Sequence, residues 1–157
     1  IVRSLDSGMV WTLGIARGAA KLNLNVQVIS SNKEEQDNEF YDKYANNQAM
    51  YVLKELKIEL KELKVPVITK NLNLIDIQNY ISKGICAIAL INWNIIESKE
   101  GFFGHFIVIV GFDEQNIYIH NPGIEKAQEY MPIDKRLFLR AWQSKGTDKD
   151  LVILSEK

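Results

Sequence analysis

The chain has 157 residues, 46% of them hydrophobic, which favours one domain with a core large enough to need no disulfide or structural metal. Its 19 basic and 20 acidic side chains leave a formal net charge of -1, so there is no electrostatic reason to expect nucleic acid or an anionic membrane as a partner. The single cysteine excludes an intrachain disulfide and is compatible with a cytoplasmic location. The longest apolar runs, Ile85–Ile91 and Phe106–Val110, are far too short to span a bilayer.

Gly8 to Asn23 is expected to be a helix capped by Ser7, because Trp11, Ile15, Ala19 and Leu22 recur at helical spacing. Asn25–Ser30 alternates apolar and polar residues, as a half-buried strand does. A polar loop follows, with a short helix expected around Asn38–Tyr44. Gln48 to Lys64 carries a stripe of Leu53, Leu56, Leu60 and Leu63, and is the clearest helix. Lysines line one flank and glutamates the other, so its charge pairs are mostly like-sign and leucine packing must hold it. Pro66 ends it; Val67-Ile68-Thr69 reads as a short strand, and Leu74–Lys83 as an amphipathic helix closed by Gly84. The continuous apolar run Ile85–Ile91 predicts a strand covered on both faces. Trp93–Phe103 reads as a loop, Gly104–Phe112 and Asn116–Asn121 as a hairpin, Ile133–Trp142 as a helix and Leu151–Leu154 as a last strand. Helices precede mostly antiparallel strands, which is the pattern of an α+β fold.

The hairpin carries the chemistry. His105 opens its first strand and Asn121 closes its second, and a thiol hydrolase needs such a base and such an orienting group besides its cysteine. Imidazole can take a thiol proton near neutral pH, and an amide oxygen can hold the imidazole N–H without adding charge. Strand residues alternate faces, so turn length decides whether the two side chains meet. If Phe112 pairs with Asn116 across three residues, Asn121 lies opposite Ile107 and shares a face with His105. A four-residue loop separates them unless a bulge restores the register. Gly104 is read as leaving room for substrate backbone. One histidine and one asparagine in a hairpin are usually structural residues, and Asn-Pro-Gly is an ordinary turn.

The other candidates are weaker. Cys86 lies within an apolar strand, with no helix start or cation beside it to lower its pKa, and reads as a small core residue. His120 is expected on the face opposite Asn121, in a structural role. No HxxxH, CxxC, P-loop or dinucleotide fingerprint is present, so no metal or cofactor is expected. Asp148 and Asp150 suit a turn better than a cation. Phe102 and Phe103 are assigned either to ligand contact or to the core.

Gly104–Phe112 with Asn121-Pro122 resembles the His and Asn/Asp motif pair of papain-like bacteriocin-processing peptidases. Val10-Trp11-Thr12, Phe40-Tyr41-Asp42-Lys43, the Lys83-Gly84 turn and Gly146–Asp150 resemble, in the same order, the guanylyl cyclase-like branch of that superfamily. The resemblance runs from about Val10 to Leu154. It implies a papain-like α+β domain over residues 1–157, with His105 as base and Asn121 as orienting residue. It also implies a nucleophilic cysteine on a helix upstream of the Trp-Thr helix, and a glutamine just before it. Neither matches this chain. Ser7-Gly8 superficially resembles a Cys-Gly pair, but Trp11-Thr12 aligns this helix with the later one. The Cys-bearing segment is therefore expected outside the chain, either upstream or as a separate partner. The implied function is a cysteine hydrolase acting on a peptide or peptide-like substrate. The alternatives are a non-catalytic peptide-binding module and, last, a nucleotide-converting cyclase.

Overall fold

A computed structural model describes residues 10–31, 47–123 and 126–156. Its elements in chain order are α1 (Thr12–Lys21), β1 (Asn25–Ser30), α2 (Asn47–Glu62), β2 (Val67–Thr69), α3 (Leu74–Ile81), β3 (Cys86–Asn92), α4 (Trp93–Ile96), β4 (Gly104–Phe112), β5 (Asn116–Asn121), β6 (Gln128–Asp134), α5 (Lys135–Trp142) and β7 (Leu151–Ser155). The seven strands form one sheet in the order β2-β1-β7-β3-β4-β5-β6. Only β1 and β2 run parallel. This is the expected α+β architecture.

Strand alternation sorts side chains onto two layers. Ile29, Leu151, Ala89 and Ile107 are successive cross-strand partners. With Ile91, Ile109, Ile117 and Ile119 they build the main core, which α5 completes through Phe138, Ala141 and Trp142 and α3 through Ile77. Each such fully buried Ile contributes roughly 1.5–3 kcal/mol. The opposite face carries a smaller core of Ala16, Val28, Leu60, Val65 and Val152 beneath α1 and α2. Leu56 and Leu60 of the predicted leucine stripe are buried, while Leu63 is left at the exposed edge. The like-charged helix finds its ion pairs elsewhere: Glu59 binds Arg17 at 2.9 Å and Lys21 at 3.0 Å on α1.

Four expectations need correction, and two lie outside the described residues. β3 is not equally covered on both faces. Ala87, Ala89 and Ile91 are buried in the main core, whereas Cys86, Ile88 and Leu90 stay partly exposed on the other side. Helix α5 starts at Lys135, because Ile133 and Asp134 belong to a strand, β6, that the sequence did not suggest. The Asp134 carboxylate accepts the Arg136 and Leu137 N–H groups and caps the helix. The Trp93–Phe103 segment opens with a one-turn helix rather than being all loop. Helix α1 starts at Thr12, with Trp11 as its N-cap. The proposed Ser7 cap and the short helix at 38–44 lie outside the described residues.

Two distant motifs meet at one end of the sheet. The Thr12 hydroxyl donates to the Asp148 carboxylate. Asp148 accepts the Asp150 N–H at 3.1 Å, and Asp150 accepts the Ser31 N–H at 2.9 Å. This network ties the start of α1 to the ends of β1 and β7, in keeping with the turn reading. Burial raises the pKa of both carboxyls, and the neighbouring Asp148 charge helps push Asp150 up to about 7.

Candidate active site

The turn between β4 and β5 is longer than the simplest expectation. Phe112 pairs with Ile117, which leaves four residues between them. That spacing alone would send His105 and Asn121 to opposite faces. A β-bulge restores the register: Ile109 pairs with Ile119 and Gly111 with Tyr118, so Val110 is the extra residue. Asn121 consequently falls opposite Ile107, on the same face as His105. The four-residue tip is held by the Asp113 carboxylate, which accepts the Gln115 and Asn116 N–H groups and the Tyr118 hydroxyl. Those three bonds hold the Asp113 carboxyl well below the usual carboxylate range.

His105 and Asn121 meet at the edge of the main core. The His105 Nε2 to Asn121 Oδ1 distance is 2.7 Å, and Asn121 is buried. The same Oδ1 accepts the Gly123 backbone N–H at 2.8 Å. A backbone N–H can only donate, so this contact identifies the facing atom as the amide oxygen. His105 Nε2 must then carry a proton, and in the neutral ring Nδ1 keeps its lone pair. Gly123 therefore sets the tautomer by way of Asn121. The Asn-Pro-Gly sequence signalled the turn but not this role. Gly123 has φ +60°, and an added Cβ would sit 2.2 Å from the Lys126 carbonyl oxygen. Gly123→Ala is expected to displace this turn, lower stability by about 1–3 kcal/mol and loosen Asn121. Thermal melting and the nitrogen shifts of His105 would register both effects.

A cleft of about 370 Å³ opens over the pair, lined by Trp93, Glu97, Lys99, Phe103, Lys126 and Gln128 together with His105, Asn121 and Gly123. The Trp93 ring meets His105 edge-on at 5.0 Å, and the Phe103 ring lies nearly parallel to it at 6.4 Å. Phe103 thus borders the cleft. Phe102 packs instead against Gly104 and Gly146. The space beside Gly104 is filled by that ring and Leu90, at 3.1–3.4 Å from an added Cβ, and so is not open to substrate as expected.

The remaining candidates separate cleanly. Ile91 is the partner of His105, so Cys86 lies five residues away along β3 and on the opposite face, roughly 16 Å distant. It cannot act on a group bound at His105. His120 also points away from the cleft; its Nδ1 accepts the Tyr130 N–H at 3.1 Å. Among the described residues, no group of three or more His, Cys, Asp or Glu side chains is placed to hold a metal ion, and no helix is long and apolar enough to cross a membrane.

The family model described as "Guanylylate cyclase" matches residues 7–154. No curated protein matches the chain. Among solved structures, one described as a C39-like peptidase from Bacillus anthracis is similar, with a TM-score of 0.42 and 14% identity. The likeness covers 54% of this chain and 48% of that one, so the chain spans about half the length of the protein it matches.

Proposed function

We infer that this chain, which belongs to the guanylylate cyclase family, supplies the base and orienting residue of a papain-like thiol hydrolase acting on peptide or amide bonds. The observation that carries this reading is the shared contact at Asn121 Oδ1, which holds His105 as the Nε2–H tautomer and leaves Nδ1 basic. In the reaction, a cysteine from outside residues 1–157 gives its thiol proton to Nδ1, and the thiolate attacks the substrate carbonyl. The C–N bond then breaks, and the leaving amine takes that proton back from Nδ1. Water then gives a proton to Nδ1 and attacks the thioester carbonyl; the C–S bond breaks, the acid product leaves, and the cysteine thiolate recovers that proton from Nδ1.

A second reading, a peptide-binding module without catalysis, is favoured by one observation: Cys86 is on the wrong face to serve as the nucleophile. A nucleotide cyclase ranks third. Metal-assisted cyclisation needs carboxylates free to hold the ion. Among the described residues lining the cleft, the one carboxylate, Glu97, is paired with Lys99 at 2.7 Å, so the described residues do not fit that metal.

The full reading frame separates the first two readings. A Gln…Cys-Gly pattern within several tens of residues before Ile1, and stoichiometric labelling of that cysteine by a thiol-directed electrophile, are expected for the hydrolase. A full-length protein that lacks the pattern and binds peptide without cleaving it would establish the binding module.

A further inference from the structure

One side of the cleft is the segment 93–103, whose two ends are tied by one buried side chain. Asn92 ends β3 at 5% exposure. Its Oδ1 accepts the Phe103 N–H at 3.0 Å and the Asn94 N–H at 3.2 Å, and its Nδ2 donates to the Gly101 carbonyl at 3.1 Å. The Trp93 N–H donates to the Phe103 carbonyl at 2.8 Å. Both ends of the segment are thus joined by the Asn92 amide and by this backbone bond, with Trp93 beside Asn92 in sequence and Phe103 bonded to it directly. Asn92 itself pairs with Gly104, and so stands one residue from the pairing of Ile91 with His105.

Phe103 is 40% exposed, yet its backbone is pinned on both sides and its ring lies parallel to His105. Trp93 closes the other side of the imidazole. The single bond from Nε2 to Asn121 leaves the ring able to swing about its own axis, and the two aromatic walls limit that swing.

We propose that Asn92 is a positioning residue for His105, which fixes the Trp93 and Phe103 walls and through them holds the imidazole in the orientation that lets Asn121 and Gly123 select its tautomer. The proposal rests on the reading of His105 as the base, but its test does not require hydrolysis. Removing the Asn92 amide takes its side-chain partner from the Phe103 and Asn94 N–H groups and the Gly101 carbonyl, loosens the walls and lets His105 leave the orientation in which Nε2 bonds Asn121.

The experiment is nitrogen-detected NMR of His105 in the protein as it stands, at a pH where the ring is neutral. Wild type is expected to show one protonated Nε2 and one unprotonated Nδ1, widely separated in shift. Asn92→Ala should reduce that separation by at least half while the far-ultraviolet circular dichroism stays unchanged. Asn92→Asp retains both acceptor bonds and should restore the wild-type pattern. Phe103→Ala removes an exposed wall without emptying the core, and should give an intermediate separation even if Asn92→Ala does not fold. Nitrogen shifts that stay at wild-type values in Phe103→Ala, or in an Asn92→Ala protein whose melting point has fallen, would overturn the proposal. Loss of the tautomer with no hydrolysis by full-length protein would uphold the positioning role while defeating the hydrolase.

Discussion

Under the proposed hydrolase reading, replacing His105 by alanine in the full-length protein is expected to lower peptide hydrolysis by about 10³- to 10⁵-fold, with little change in KM. The cause is twofold. Without Nδ1 no group is poised to take the thiol proton, and without the same atom the leaving amine departs unprotonated. Asn121→Ala should cost less, about 10- to 100-fold, because the base remains but its ring is no longer held at 2.7 Å in one tautomer. Both variants should fold, since the pair sits at the rim of the core and not within it. Single-turnover kinetics would separate these effects from substrate binding. A His105→Ala enzyme with full activity would remove His105 from the chemistry.

The second large effect concerns stability. Asp150 has a folded-state pKa of about 7, against roughly 3.9 in an unfolded chain. Between those values the native state binds more protons than the unfolded state, so stability falls as pH rises from about 4 to about 7 and levels off above. Asp148, raised by burial, adds to the same slope. Asp150→Asn keeps an oxygen for the Ser31 N–H and removes the buried charge. It should therefore stabilise the protein at pH 8 by roughly 1–3 kcal/mol, with a difference that vanishes near pH 4. Carboxyls with lowered pKa values, such as Asp76 beside Lys70, slope the opposite way at lower pH, so the difference between variant and wild type is the quantity to measure. An equal gain at both pH values would show that the charge is not the cause.

The hairpin was legible because its two signals are local: an apolar-alternating pattern, and a His and an Asn at its ends. Even the required register could be stated in advance, although the residue that bulges could not. Strand β6 left no comparable trace. Only Ile133 in it is buried, Pro132 interrupts it, and as an edge strand it has no second partner to impose a pattern. The contributions of Gly123 and Asn92 were hidden for another reason. Each acts through a side-chain–backbone bond, Gly123 to Asn121 within one turn and Asn92 to Gly101 and Phe103 across a loop, and neither residue type announces that in a single chain. Thr12 and Asp148 are 136 positions apart, so their motifs were visible but their contact was not.

The bulge at Val110 constrains how this hairpin can change over evolutionary time. A one-residue gain or loss at its tip that slips the pairing would turn Asn121 away from His105 and, with it, Ile117 and Ile119, which share its face and lie in the main core. The error would therefore cost stability as well as the His105–Asn121 contact. Length changes near 113–116 should therefore survive in pairs, or together with gain or loss of the bulge. A homologue whose tip is one residue shorter and whose first strand runs unbulged would be the compensated form of the same site.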